Sequence, residues 1–104
     1  MLEAQLQAVA DPTRRRILKL AAEEPLTAGE IAGRFKMTRP AVSQHLKVLR
    51  DAGLVRVRAE GTKRLYTTRR SALLGLFEEL DDYWSLGLMR LKLAAEKKAR
   101  GAGR

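Results

Sequence analysis

Two helix-start signals follow one another closely in the middle of the chain, and they restrict the fold more than any other feature. The first is Thr27-Ala28-Gly29-Glu30, which has the spacing of a capping box and opens a helix that continues to Phe35. The second is Thr38, an N-cap candidate followed by Pro40 in the first turn, where proline is tolerated. Because a short Lys36-Met37 turn separates these segments, the sequence predicts two helices joined by a tight turn.

The second of these helices has two different faces. Val42, Leu46 and Leu49 recur at helical spacing and predict a face that is buried in the core. The opposite face, with the N-cap, carries short polar and cationic side chains: Thr38, Arg39, Pro40, Ser43, Gln44 and Lys47. His45 is ambiguous, since it belongs to this helix but could pack partly under the domain.

Beyond this helix the apolar spacing changes from helical to alternating. Gly53 is a plausible helix terminator, and from Leu54 to Glu60 apolar residues alternate with charged ones, as in a strand buried on one side. Gly61-Thr62 supplies a turn, and 65–68 reads as the returning strand. The predicted hairpin carries four basic residues along its exposed edge and tip: Arg56, Arg58, Lys63 and Arg64.

The charge of the chain is concentrated in this central region. The formal net charge is +9, and residues 34–70 hold eleven of the 21 basic residues but two of the 12 acidic ones. Such a surface can neutralise phosphates, and a helix about 10 Å across fits the major groove of DNA. Two helices and a basic hairpin in this order indicate a winged helix-turn-helix that binds double-stranded DNA. The predicted DNA contacts are the six residues of the polar helix face, His45 if it does not pack under the domain, and the four hairpin cations.

Helices are also predicted at both ends of the chain. Residues 2–9 form a short amphipathic helix, Asp11 and Pro12 open another that runs to about Glu23, and Ser71 caps a long final helix over about 71–95 or beyond. The terminal helices expose more apolar surface than a small core can bury, which predicts a homodimer. The interface candidates are Leu2, Leu6, Phe77, Leu80, Trp84, Leu88 and Leu91.

The fold class is therefore mainly α with a small antiparallel β-hairpin, in the order α-α-α-α-β-β-α. We expect one DNA-binding domain over 1–96 that includes the terminal dimerisation helices. A basic, frayed tail is expected over 97–104, where glycines interrupt the lysines and arginines.

Composition excludes several classes of function. The chain has no cysteine and one histidine, so it lacks the side chains for thiolate or clustered imidazole metal sites and for nucleophile–base pairs. We therefore predict no enzyme activity, no metal and no cofactor; the acidic cluster Glu78, Asp81 and Asp82 is read as a solvated face. No apolar run approaches the roughly 18 residues of a membrane span, and no signal-peptide pattern opens the chain, so we expect a cytoplasmic protein without a membrane partner.

Three stretches of the sequence resemble a known family. These are ADPTRRRIL over 10–18, AVSQHLKVLRDAGLV over 41–55, and Glu60-Gly61 with Arg64-Leu65-Tyr66. The chain is similar in them to ArsR-type (SmtB/ArsR) bacterial transcriptional regulators. The resemblance implies a homodimeric repressor whose first and last helices pair across the two-fold axis and whose recognition helices enter successive major grooves of a palindromic operator.

The resemblance also bears on ligands and on the arginines near the start of the chain. Trp84, Leu88 and Leu91 resemble the branch of the family without metal-sensing residues, and the cysteines of the metal-sensing members are missing here. No small-molecule effector is assigned. Arg14, Arg15 and Arg16 match a family signature; we expect one of them to pair with an acid, and we disfavour a role in DNA contact.

Two other functions remain open from the sequence. A non-specific, architectural nucleic-acid protein would also carry this charge, and would differ in showing no preference for one duplex over another. A protein-interaction module using the aromatic last helix would instead bind a partner other than itself.

Overall fold

A computed structural model describes residues 2–102, and the side chains of 84–86, 88, 89 and 99–102 fall outside that description. Within this part of the chain there are five helices and two strands. Their bounds are α1 Leu2–Ala10, α2 Pro12–Glu23, α3 Ala28–Phe35, α4 Arg39–Asp51, β1 Val55–Glu60, β2 Lys63–Thr68 and α5 Arg70–Ala102. The predicted order of elements and the small antiparallel hairpin are confirmed.

The chain up to Leu73 forms one compact unit, and the greater part of α5, from Leu74 onward, forms a second. The first unit has a continuous apolar core to which α2, α3, α4 and β1 all contribute. Its largest fully buried side chains are Ile17, Leu26, Ile31, Val42, Leu46, Leu49 and Leu54. The three residues predicted to face inward from α4 are therefore all buried.

Side-chain caps fix the beginnings of three helices, as the sequence predicted. The Asp11 carboxylate accepts the Arg14 N–H at 2.9 Å and begins α2. Thr27 and Glu30 form the complete capping box of α3, and Thr38 caps α4 by accepting the Ala41 N–H at 3.3 Å. These local bonds satisfy backbone N–H groups that have no partner inside a helix, which is why short sequence signals are sufficient to place them.

The turn between α3 and α4 depends on a left-handed residue that is not glycine. Lys36 has φ 53° and ψ 41°, and the Met37 N–H donates across it to the Ala32 carbonyl at 3.1 Å. The conformation ends α3 abruptly and lets α4 begin at Arg39. The sequence predicted a tight turn here but not its left-handed lysine.

The hairpin is longer than predicted. β2 begins at Lys63 rather than at Leu65, and Glu60 pairs with Lys63 across the Gly61-Thr62 turn. Gly61 has φ 62° and Gly53 has φ 75°, so both glycines occupy the left-handed region that these turns need. The Thr68 hydroxyl donates to the buried carbonyl of Leu18 at 2.7 Å, which fastens the end of β2 to α2.

The final helix differs from the prediction at its start. It begins at Arg70, so Ser71 lies inside its first turn and is not the N-cap. It continues to Ala102, further than the approximate end near Ala95, which the sequence left open toward later residues. Alanine, glutamate and lysine over 94–99 are strong helix formers, which outweighs the glycine signal at 101. Residues 103 and 104 lie outside the described part of the chain.

Candidate nucleic-acid interface

The outer face of α4 is free of the core along its length. All six residues predicted to form this polar face are exposed, namely Thr38, Arg39, Pro40, Ser43, Gln44 and Lys47. Lys47 forms an ion pair with Asp51 at 3.2 Å, one turn further on, and both side chains are well exposed. A surface pair of this kind is weak and leaves the lysine available to a stronger anionic partner.

His45 has a different environment from the rest of that face. It is half-buried, and its Nδ1 lies 3.4 Å from Nη1 of Arg14 in α2. The structure therefore places His45 against the domain, in agreement with the packed alternative that the sequence left open.

The strand register places Arg64 on one face of the hairpin and Arg56, Arg58 and Lys63 on the other. In the register of the strands, Val57 lies opposite Tyr66 and Ala59 opposite Arg64, on the side that packs toward the helices. Arg56 and Arg58 alternate with these residues and project from the other side. Arg58 is also paired with a carboxylate there, at 3.2 Å from Glu60.

One cleft brings the hairpin, α4 and the start of α3 together. It has a volume of about 510 Å³. Its lining residues are Thr27, Ala28, Gly29, Arg39, Ser43, Thr62, Lys63, Arg64 and Tyr66. The cleft thus joins two of the four predicted hairpin cations to two of the predicted recognition-helix residues, while Arg56 and Arg58 are not part of it.

The electrostatics of this cleft favour an anion. Its walls carry three cationic side chains, Arg39, Lys63 and Arg64. Arg39 lies over the first turn of α3, where a Cβ added to Gly29 would be 3.6 Å from its Nη1. The first N–H groups of a helix and the positive end of its dipole add to the attraction for negative charge.

Glu30 lies in the first turn of α3 and completes its capping box. Its carboxylate turns back to accept the Thr27 N–H at 3.0 Å. That backbone bond and the bond from the Thr27 hydroxyl lower the pKa of Glu30, and the nearby charge of Lys63 contributes to the same direction.

The sequence missed two parts of this surface. Tyr66 is half-buried and lines both this cleft and a smaller one beside α4, so it lies between the hairpin and the recognition helix. The first turn of α3 was read as a structural cap alone. Local sequence signals indicate neither role, because the placement of both parts depends on how the hairpin folds back onto α3.

In the contacts that the structure describes, none of the three consecutive arginines of α2 binds an acidic side chain. Arg14 and Arg15 donate to carbonyl oxygens at the end of α1, at distances of 2.6–3.1 Å. Arg16 lies 4.6 Å above the ring of Phe35 in a cation–π contact. Helix-end carbonyls and an aromatic ring are therefore the partners that the structure describes for these arginines, and pairing of one of them with an acid stays a prediction.

Comparison with known proteins agrees with this geometry. Residues 11–57 match the model of the bacterial regulatory protein, arsR family. Over 82 residues the chain is 48% identical to the HTH-type transcriptional regulator Rv2034 of Mycobacterium tuberculosis, covering 79% of this chain and 77% of the relative. The chain belongs to the arsR family. Its members are DNA-binding transcriptional regulators and not enzymes, and this arsR-family protein is a regulator of that kind.

Two further proteins similar to this arsR-family chain are a named repressor and a homodimeric DNA-binding domain. The transcriptional repressor SdpR of Bacillus subtilis is 36% identical over 64% of this chain and 74% of its own. The homodimeric winged helix-turn-helix DNA-binding domain Mb0332 of Mycobacterium bovis superposes with a TM-score of 0.62 and 30% identity, covering 73% of each chain.

The apolar residues predicted for a dimer interface in this arsR-family chain are mostly accessible in the single chain. In α1, Leu2 is half-buried and Leu6 is exposed. In α5, Leu80 is half-buried, and Phe77 and Leu91 are 60% and 68% exposed. Trp84 and Leu88 lie outside the described side chains, so their assignment stays a prediction.

The described part of this arsR-family chain shows neither a membrane-spanning helix nor a cluster of metal ligands. None of its helices is long and apolar enough to cross a membrane. No three acidic or histidine side chains among the described residues are placed to hold a metal ion.

Proposed function

We propose that this regulator binds a palindromic operator as a homodimer and represses the promoter that contains it. The observation that carries the proposal is the exposed polar face of α4 lying beside a cationic cleft, with Arg39 and Ser43 common to both. A helix in the major groove would read bases at one place while the cleft holds the phosphate backbone next to it.

The geometry supports different roles for the residues of this surface. Ser43 and Gln44 are assigned to base edges, because they are exposed on the middle of α4 and a glutamine can pair bidentately with adenine. Arg39, Lys63 and Arg64 are assigned to phosphate, because they converge on the start of α3. Thr38, Pro40 and Lys47 flank these groups, and Arg56 and Arg58 face away from the cleft.

The dimer is proposed to form through α1 and α5. Phe77 and Leu91 are large apolar side chains left exposed by the single chain, and a second copy would cover them. The homodimeric state of the Mycobacterium bovis relative supports the same assembly. Replacing Phe77 and Leu91 with aspartate is expected to give monomers in sedimentation and to abolish operator binding; unchanged dimers would contradict this interface.

Repression is proposed because a dimer on promoter DNA competes with the polymerase for the same site, and because SdpR is named a transcriptional repressor. A cytoplasmic location follows from this role, since the promoter is there. A reporter gene behind the selected operator should be less active when the regulator is present, and a more active reporter would overturn repression.

The deciding experiment is selection of genomic fragments by the purified protein. The best fragment is then titrated against random duplex at two salt concentrations. We expect a palindrome with half-sites roughly one helical turn apart, bound about 10³-fold or more above random DNA. Binding without sequence preference would overturn the proposal in favour of an architectural protein.

Two variants separate the proposed roles on that operator. Gln44→Ala should relax the preference at one base pair and leave binding to random duplex unchanged. Lys63→Ala should weaken every duplex alike and lower the salt slope by about one. Equal losses on operator and random DNA for both variants would contradict the division between base and phosphate contacts.

A further inference from the structure

The guanidinium of Arg14 connects three elements that the fold brings together. Its Nε donates to the Ala8 carbonyl at 2.7 Å, and Nη2 donates to the Gln7 carbonyl at 2.8 Å, both at the end of α1. Its Nη1 lies 3.4 Å from Nδ1 of His45 in α4. All three nitrogens of one planar group in α2 are therefore engaged with α1 or α4.

We propose that Arg14 is a positioning residue for DNA recognition, which holds α4 against α1 through His45. The inference rests on the proposed function, since it assigns to Arg14 the orientation of the helix that reads the operator. Arg14 itself touches no DNA in this arrangement, because its side chain is half-buried between helices.

The chemistry of the contact fixes the state of the imidazole. Arginine has donors and no acceptor, so Nδ1 of His45 must be the acceptor and the ring hydrogen must be on Nε2. The carbonyls of α1 lie at the negative end of its dipole, where a guanidinium charge is favoured. Three acceptors in fixed directions suit the planar fork of arginine, and the single ammonium of lysine cannot reach all of them.

The position of His45 explains why the contact would matter for recognition. It adjoins Gln44, which is exposed for base contact, and its ring lies on the flank of α4 nearest to α2. A binding group has to be held to within about 0.5 Å of its productive position. Loss of the Arg14 contact would release this flank of α4 and displace Gln44 from the base edges.

Arg15 is a matched control for Arg14. Its Nη1 donates to the Val9 and Ala10 carbonyls, at 2.6 and 3.1 Å, so it holds the same end of α1 with the same type of group. Its described hydrogen bonds reach α1 and not α4. Substitution of Arg15 should therefore reproduce the loss of helix-end bonds without affecting α4.

The test compares Arg14→Gln and Arg14→Lys with Arg15→Gln and Arg15→Lys in the full-length chain. The readouts are melting temperature, sedimentation, and the ratio of affinities for operator and random duplex. In both Arg14 variants the ratio of operator affinity to random-duplex affinity should fall about tenfold or more, while the proteins remain dimers. Lysine at position 14 should therefore not restore the wild-type ratio. The Arg15 variants should melt lower by a similar amount and keep the ratio. The inference would be overturned if Arg14→Lys kept the wild-type affinity ratio. It would also be overturned if the Arg15 variants lost as much of that ratio as the Arg14 variants.

A spectroscopic measurement tests the contact without DNA. Because His45 is the sole histidine of the chain, its ring nitrogens give one unambiguous pair of signals in a ¹H–¹⁵N correlation spectrum. The wild-type ring should be the Nε2–H tautomer at neutral pH, and Arg14→Gln should shift the tautomer balance where Arg15→Gln does not. A wild-type ring protonated on Nδ1 would refute the contact.

The two proposals fail in different ways. A wild-type protein that does not distinguish operator from random duplex overturns the proposed function. A wild-type protein that distinguishes them, with Arg14 variants that do so equally well, overturns the role of Arg14 alone.

Discussion

Leu26, in the loop between α2 and α3, and Tyr66, in β2, exchange both of their backbone hydrogen bonds. The Leu26 N–H donates to the Tyr66 carbonyl at 3.1 Å, and the Tyr66 N–H donates to the Leu26 carbonyl at 2.8 Å. This antiparallel bridge adds a third segment to the two-stranded hairpin. It holds the hairpin beside the start of α3, and so creates the cleft in which Arg39 and Arg64 meet.

Removing the Leu26 side chain tests this attachment. The side chain is 1% exposed, so Leu26→Ala should lower the free energy of unfolding by about 2–5 kcal/mol through lost burial and an unfilled cavity. Urea denaturation measures the change. Leu65→Ala, at a half-buried position in the adjacent strand, is the control and should have a smaller effect. Equal losses would show that Leu26 is not a core anchor.

Lys36 should be a site where glycine stabilises the protein. A left-handed conformation is unfavourable for a residue with a Cβ, so Lys36→Gly should raise the free energy of unfolding by about 1 kcal/mol. Thermal unfolding at fixed pH measures it. Lys36→Ala removes the same charge but keeps the Cβ, and should not give this gain. A gain of the same size from alanine would assign the effect to charge instead.

The capping carboxylates should make stability fall in acid. The backbone N–H of Arg14 lowers the pKa of Asp11, and that of Thr27 lowers the pKa of Glu30. Because the folded pKa is below the unfolded one, this stabilisation is present above the unfolded pKa and is lost as the pH falls through the folded pKa.

Melting temperatures from about pH 6 to about pH 2 check this expectation. The melting temperatures of Asp11→Asn and Glu30→Gln should each fall less with decreasing pH than that of the wild type. Because asparagine still serves as an N-cap, α2 remains formed in Asp11→Asn. Glu3→Gln, at an exposed position in the first turn of α1, should keep the wild-type fall. Identical profiles for all four proteins would contradict a role of the caps in acid sensitivity.

Hairpin cations inside and outside the cleft should differ in their effect on DNA binding. Arg64→Ala removes a cation from the cleft and should weaken operator and random duplex alike, with a salt slope lower by about one. Arg56→Ala removes the same charge from the opposite face and should leave the slope nearly unchanged. Titrations over a range of salt concentrations compare them. Matching slopes would show that DNA contacts both faces.

The sequence predicted those features that depend on neighbouring residues. The caps at Asp11, Thr27 and Thr38 are bonds within one helical turn, so a few letters specify them. The inward face of α4 follows from spacing alone, and all of its predicted members are buried.

The features that depend on distant parts of the chain could not be predicted. Which hairpin cations line the cleft depends on how the hairpin folds back onto α3 and α4, because the strand register places Lys63 on the same face as Arg56 and Arg58. The bonds of Arg14 and Arg15 require α1 to fold back against α2, and a run of arginines carries no sign of that. The exact end of α5 could not be placed, because the glycine at 101 competes with the strong helix formers that precede it.

The bridge between Leu26 and Tyr66 also has a consequence for how such a protein could respond to a signal. Backbone bonds fasten the hairpin to the loop before α3, and a shared core holds α2, α3 and α4 together, so the proposed reading surface of one subunit forms one packed body. In a dimer, a signal would then change DNA affinity by altering the separation of two such bodies. On the proposed palindromic operator, their spacing would have to match one helical turn of DNA, roughly 34–36 Å, and a small change in that distance would weaken both contacts together.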